Sequence, residues 1–375
     1  MRRWDAVVVG ARVAGASTAM LLARAGLRVL CVDRARHGSD TVSTHALMRG
    51  GVLQLKRWGL LDQVVRSGTP PVRRTRFVYG DDVLSVSIRP TAGVEALFAP
   101  RRTVLDPLLA DAAREAGATV AFGTSVTGLE RDPGGRVIGV RTVDRDGRRR
   151  LERADLVIGA DGRRSLVADD VAAEFVVTGH ATTSCVYGYW DGLDLDGYEW
   201  FYGLGGAAGV IPTNDGLACV FVGATPSTVT SLLRAGGPEA AVHGLSGRFT
   251  LGERLKGARQ VGRLRHVTGT PGHLRRSHGP GWALVGDAGY WKDPLSTHGI
   301  TAALRDAELL SQAVVDNAFH DYQQVRDALS LPMMSVAERI ASWDWDMQQI
   351  RGLLMALSSE MADELEVLAS MPVAA

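Results

Sequence analysis

The string Gly10-Ala11-Arg12-Val13-Ala14-Gly15 joins the end of one apolar run to the start of an Ala/Leu-rich one. In this spacing the first glycine permits a tight turn, and the last lets a helix lie close on a strand. The helix N-terminus then attracts a pyrophosphate. The middle glycine usual in such turns is replaced by Arg12, which requires a variant geometry and offers a guanidinium to the phosphates. Asp33 closes the next apolar run, where an acid hydrogen-bonds an adenosine ribose and disfavours a 2′-phosphate. FAD or NAD therefore fits better than NADP. The similar string Gly203-Leu204-Gly205-Gly206 precedes no helical pattern and reads as a turn.

The elements around these residues are those of an α/β protein. Strand-like residues 6–9, a helical pattern over 14–25 and a strand over 28–32 make a βαβ unit, which demands a parallel sheet. An amphipathic helix is predicted over 47–60, a hairpin over 77–79 and 83–88, a helix over 104–116 and a strand over 119–122. An antiparallel meander follows at 126–131, 137–143 and 149–153, and then a separate buried strand at 156–160. From about 175 to 270 the pattern becomes short aromatic strands, at 185–190, 199–202, 209–212 and 218–222, suited to a mostly antiparallel sheet covering a pocket. A buried strand at 283–285, a helix over 299–315 and helical sequence from 322 complete the chain.

The predicted architecture is a Rossmann-type nucleotide-binding domain with an inserted, mostly antiparallel substrate sheet and C-terminal helices. The nucleotide domain is expected at 1–72, 101–174 and 271–320, with a substrate-domain hairpin at 73–100. The substrate sheet is expected at 175–270 and a helical region at 321–375. Lys and Arg total 42 against 41 Asp and Glu, leaving no charge excess to bind nucleic acid or an anionic membrane. Cys31, Cys185 and Cys219 are scattered without a CxxC, which argues against a disulfide framework, a zinc site or a redox dithiol and suits a reducing cytosol. Arg2 and Arg3 before an Ala-rich stretch imitate a signal peptide, but Asp5 and Arg12 interrupt it. No apolar run reaches the ~18 residues of a membrane span. A cytoplasmic protein without stable membrane insertion is expected, with no metal.

Three further strings occur in order: Arg102-Thr103-Val104-Leu105-Asp106, then Ala160-Asp161-Gly162, then Gly286-Asp287-Ala288 with Pro294, Gly299 and Arg305-Asp306-Ala307 behind it. Together they resemble the class A flavin monooxygenases typified by para-hydroxybenzoate hydroxylase, a superfamily pattern shared with geranylgeranyl reductases and flavin-dependent halogenases. The resemblance implies FAD, with Asp287 on the ribityl chain and Arg102 near the sugar or phosphates. It also implies Pro294 beside the isoalloxazine, and backbone around His298, Gly299 and Ile300 at the pyrimidine edge. Ala14, Arg34, Val126 and Asp161 join Gly10, Arg12, Gly15 and Asp33 as candidate cofactor contacts. The sequence departs from the family at Ala168, where an arginine is frequent, at Tyr290, where a histidine is common, and at His298, where Gln or Gly is frequent.

The resemblance implies an NADH- or NADPH-dependent monooxygenase of secondary metabolism. In such an enzyme reduced FAD and O2 form a C4a-hydroperoxide, whose distal oxygen passes to a small aromatic or polyketide-like substrate. Pro294, His298 and the loop residue His45 are candidate catalytic positions; Tyr187, Tyr189, Trp200, Tyr202 and Pro212 are candidate substrate contacts. Strand alternation puts Tyr187 with Tyr189 on one face and Trp200 with Tyr202 on one face. The alternatives are an ene-reductase or dehydrogenase of the geranylgeranyl-reductase type, and a non-redox cyclase or binding protein. Trp343-Asp344-Trp345 lies in the helical C-terminal part, not where a halogenase carries its tryptophans.

Overall fold

Val7, Val8 and Val9 are buried together, as a strand covered on both faces by helices or other layers requires. The computed structural model describes residues 3–372, and Arg2 lies outside them. Strand β1 (Arg3–Val9), helix α1 (Val13–Arg24) and strand β2 (Val29–Asp33) make the βαβ unit. Helices α2 (Arg49–Arg57) and α3 (Leu61–Arg66) lead to the hairpin β3 (Arg74–Tyr79) and β4 (Asp82–Ser87). Next come α4 (Arg102–Glu115), β5 (Thr119–Phe122), β6 (Thr124–Arg131), β7 (Val137–Asp144), β8 (Arg149–Gly159) and α5 (Leu166–Asp170). Strands β9 (Phe175–Thr178), β10 (Ser184–Asp191), β11 (Tyr198–Gly203), β12 (Gly206–Pro212) and β13 (Ala218–Ala224) precede helices α6 (Pro226–Ser246) and α7 (Leu251–Lys256). After β14 (Arg259–Val267), β15 (His273–Arg275), β16 (His278–Gly279), β17 (Trp282–Leu284) and β18 (Tyr290–Trp291), the chain ends in α8 (Gly299–Asp316), α9 (Phe319–Ala341) and α10 (Met347–Ser370).

The first sheet runs β17-β8-β1-β2-β5 with all neighbours parallel, and β16 pairs antiparallel at its edge. The register aligns Val9 with Val32 and Gly159, Gly159 with Leu284, and Asp33 with Phe122. The turns after β1, β2, β8 and β17 thus open at one carboxyl edge, which is where ligands of open α/β sheets bind. The predicted strands at 149–153 and 156–160 are one continuous strand, β8. Its first half pairs antiparallel with β7 and its second half parallel with β1. Between Arg153 and Leu156 stand only Ala154 and Asp155, with neither Gly nor Pro, and the strand runs on from meander to core.

The second sheet, β14-β10-β13-β12-β11-β3-β4, is antiparallel except for β3 and β11. The stretch expected as a mostly antiparallel sheet of short strands also contains α6 and α7. Thr225 caps α6 by accepting from the Thr228 amide, Pro226 stands in its first turn, and Gly236 and Gly237 break it. Its Val229, Val242 and Leu245 cover Val186, Phe201 and Val220 on one sheet face. The opposite face presents Tyr187, Tyr189, Trp200, Tyr202 and Phe221, packed with Ala46, Leu295 and α9 and α10 residues such as Ile340 and Leu353. The alternation that pairs Tyr187 with Tyr189 and Trp200 with Tyr202 holds, and the four share a face. A small third sheet, β18-β15-β9, sits beside the turn after β17. No helix among the described residues is long and apolar enough to cross a membrane.

Helix α1 lies against α4 and α8, and α10 against α9 and α2. The C-terminal helix is tied in by charge as well as packing. Arg305, wholly buried on α8, donates to Glu364 Oε2 of α10 (2.7 Å), to Asp306 Oδ1 (2.6 and 2.9 Å) and to Ser330 Oγ of α9 (2.9 Å). Removing one partner strands a buried charge, so Glu364→Ala is expected to cost about 3–5 kcal/mol in urea unfolding of the flavin-loaded protein. The double replacement Arg305→Met with Glu364→Leu should cost less; a double variant weaker than the single one would contradict this.

Candidate functional site

The turn after β1 is shaped by close approach. Gly10 has φ +104°, and a Cβ on it would lie 2.4 Å from the Ala160 carbonyl oxygen; a Cβ on Gly15 would lie 1.8 Å from the Gly10 oxygen. Helix α1 therefore begins hard against the ends of β1 and β8. Its N-terminus carries no side-chain cap and no acidic residue in the first turn, leaving backbone N–H groups of the Val13 and Ala14 region for an anion. Asp33, 8% exposed, accepts from the Ala11 amide (2.8 Å) and the Ala35 amide (2.7 Å). It thereby fixes the turn, while its oxygens keep lone pairs for ribose hydroxyls. Arg34 is exposed next to it, and Val126 is half-buried on β6.

Arg12 does not point freely into the turn. Its guanidinium donates to Asp106 Oδ2 (2.8 Å) and to the Ser39 carbonyl (2.5 Å). Arg102 grips the same carboxylate from the first turn of α4, Nε to Oδ1 at 2.7 Å and Nη2 to Oδ2 at 3.1 Å. One buried acid thus holds two guanidiniums beside the uncapped helix, leaving one net positive charge for a phosphate. Asp106 was legible from its i,i+4 spacing to Arg102, yet its second partner, Arg12, is distant in sequence. Asp161 turns its carboxylate into its own loop, accepting from Ser165 Oγ (2.5 Å) and the Val167 amide (3.3 Å). Only its backbone faces the Gly10 turn.

At the other end of the carboxyl edge, Asp287 follows β17. Its carboxyl makes no hydrogen bond to a described residue; desolvation pushes it up to about 6, against the pull of Lys292, Arg102 and Arg163. Pro294, Gly299 and Ile300 are surface-accessible, whereas His298 is buried. Helix α8, like α1, starts with no side-chain cap and no acid in its first turn. A cofactor that becomes anionic on reduction is stabilised there. His298 Nε2 meets Glu364 Oε1 at 3.0 Å, and Nδ1 has no partner. Its ring is thus engaged with α10, a contact that no local sequence signal announces. Ala168 is buried in α5, where its amide bonds the Ser165 cap.

The aromatic sheet face meets this edge through the loop before α2. His45, 1% exposed and in a left-handed backbone conformation (φ 70°), places Nε2 2.6 Å from the Tyr189 hydroxyl; the Tyr187 hydroxyl accepts from the Ser43 amide (3.1 Å). Tyr202 stacks on Tyr79 at 6.1 Å and Trp200 packs near Phe221 at 6.2 Å. Pro212 is buried at the end of β12, just before Thr213 and Asn214, which bond the Ala99 carbonyl and the Arg101 amide. Arg101 lies with its guanidinium 4.4 Å from the Tyr189 ring centroid. The arginine doublet therefore splits, Arg102 toward the phosphate end and Arg101 toward the aromatic face.

These features fit an elongated dinucleotide carrying a flavin. Gly10, Gly15 and the α1 N-terminus, flanked by Arg12 and Arg102, would hold the pyrophosphate, and Asp33 the adenosine ribose. Asp287 and the α8 N-terminus would hold the ribityl and pyrimidine parts. Residues 3–196 match the FAD binding domain family. The chain belongs to that family. The resemblance to the class A FAD-dependent monooxygenase family holds. Its relatives include aklavinone 12-hydroxylase RdmE of Streptomyces purpurascens, 32% identical over 224 residues, 53% of this chain and 41% of that protein. The chain thus spans under half the length of this hydroxylase. Menaquinone reductase of Mycolicibacterium smegmatis is 27% identical over 372 residues, 90% of this chain and 84% of that one. Among solved structures, PqsL from Pseudomonas aeruginosa superposes with a TM-score of 0.81 at 20% identity, covering 94% of this chain and all of that one.

In this FAD-binding protein Arg102→Ala and Asp287→Ala are each expected to weaken FAD retention about tenfold or more, the loss of a charge-assisted contact. The ratio of flavin to protein absorbance checks it; full flavin content in both variants would contradict the placement. His45 titrates separately. Burial, reinforced by Arg102, Arg101 and Arg265, lowers it from 6.5 to about 3. A lowered folded value contributes stability that is present above pH 6.5 and lost as pH falls toward 3. His45→Asn should therefore flatten the loss of unfolding free energy between pH 6.5 and about 4. A variant as acid-sensitive as the parent would count against it.

Proposed function

We propose that this flavoprotein is a hydroxylase that inserts one atom of O2 into a small aromatic or polyketide-like substrate, with NADH or NADPH as electron donor. The observation that carries this reading is the packing of one aromatic sheet face against the flavin loop. Tyr187, Tyr189, Trp200, Tyr202 and Phe221 share a cluster with Leu295, the neighbour of Pro294, and with Ala46, the neighbour of His45. Bound FAD, once reduced, supplies the activation of O2. The chain supplies a flat, apolar wall that orients an aromatic ring, and side chains from five strands and two helices that exclude water from it. The α8 N-terminus favours negative charge at the flavin's pyrimidine edge, and Pro294 fixes the backbone beside it. His298, tied to Glu364, acts on this edge by setting how α8 begins, while His45 faces the substrate wall.

A second reading, a flavin-dependent reductase, is favoured by one observation: the menaquinone reductase is matched over most of its length, the hydroxylase over less than half. Oxygen separates the two. The purified protein is given NADH or NADPH and a panel of hydroxylated naphthoquinones and anthracyclinones under oxygen-18. Donor oxidation stimulated by substrate, with one labelled oxygen in the product, is the expected result. Equal product under strict anaerobiosis would establish the reductase instead.

A further inference from the structure

Around Tyr189 two buried polar nitrogens, Arg101 Nε and His45 Nδ1, have no partner among the described residues. Both belong to side chains held in place by something else. The Arg101 amide is fixed by Asn214 Oδ1 (2.9 Å), and Asn214 is itself anchored by its amide nitrogen on Ser67 and Thr69. The Arg101 guanidinium then stacks over Tyr189, and among the described residues its only carboxylate is that of Asp215 at 3.3 Å, whose side chain is 70% exposed. An exposed partner at that distance is screened by solvent and offsets little of the charge. The other acids nearby are taken: Asp40 by Arg265 (2.6 Å), and Asp106 by Arg12 and Arg102.

His45 completes the arrangement. In the tautomer whose Nε2 accepts from the Tyr189 hydroxyl, the neutral ring carries its proton on Nδ1 and has a donor to offer beside Arg101 Nε. Burial, reinforced by the field of Arg101, Arg102 and Arg265, keeps His45 unprotonated, and the same field would attract an anion. His45 also holds a left-handed backbone conformation, a strain that persists at ligand sites when the surroundings enforce it. Unsatisfied buried donors of this kind are expected to meet an acceptor. We propose that Arg101, Tyr189 and His45 form a subsite for an anionic oxygen, as carboxylate, phenolate or enolate, on the aromatic substrate. The subsite rests on the hydroxylase reading for its position against β10, and it adds the charge class of the molecule bound there.

The test is a binding measurement on oxidised, flavin-loaded protein, so it needs no turnover and fails or succeeds independently of hydroxylation. 2-Naphthoate and its neutral isostere 2-naphthamide are titrated by flavin absorbance and by equilibrium dialysis. Naphthoate is expected to bind about tenfold or more tightly than naphthamide, the contribution of a charge-assisted contact. Arg101→Gln, with flavin content unchanged, should erase the preference, and Arg101→Lys should keep part of it. Should Arg101→Gln not fold, His45→Asn carries the same test, since Asn tolerates the left-handed backbone. Equal affinities in the parent, binding of neither probe, or a preference that survives both variants would overturn the subsite. So would a fall in flavin content with Arg101→Gln, which would assign the free donors to the cofactor.

Discussion

The contact between Gly15 and Gly10 leaves no space for a side chain, with a Cβ on Gly15 meeting the Gly10 oxygen at 1.8 Å. Much of the rest depends on that approach. It seats α1 directly on the turn after β1 and sets the helix N-terminus at the carboxyl edge of the sheet. The parallel register then brings Asp33, Ala160 and Gly286 to the same edge. A cofactor site assembled from residues nearly 300 positions apart is a consequence of strand order, with β8 between β1 and β17.

Charge is managed by sharing acids. Asp106 serves two arginines from different elements, and Glu364 serves both Arg305 and His298. In each case the acid stands one layer behind a helix N-terminus, holding cations in place without neutralising the end that faces the cofactor. The cost of burying these ions is offset in part by the hydrogen bonds that Arg12, Arg102 and Arg305 donate to Asp106, Asp306 and Glu364. Among the buried polar atoms left without a partner in the described residues, Arg101 Nε and His45 Nδ1 lie at the aromatic face and His298 Nδ1 at the start of α8.

The second sheet divides its labour by strand alternation. Val186, Phe201 and Val220 meet α6, while Tyr187, Tyr189, Trp200 and Phe221 face the flavin loop. Helix α6 was not apparent in a stretch dominated by strands, because Gly236, Gly237 and Pro238 interrupt its apolar period. Its cap residues Thr225 and Pro226 are nonetheless a readable start signal.

The sequence by itself determined the βαβ opening, the glycine turn, the order of the flavin motifs and the pairing of aromatic residues by face, because these depend on local spacing and on side-chain period. It also offered His45 and Arg102 as site candidates. Where their polar atoms go follows from the assembled fold. The merging of two expected strands into β8, the Arg12–Asp106–Arg102 bridge, the divergence of Arg101 from Arg102 and the Glu364 contact to His298 all join residues far apart in the chain. Such pairings are selected by the desolvation of charges brought together on folding, a quantity that depends on the assembled environment and leaves no periodic trace in the residues that make it.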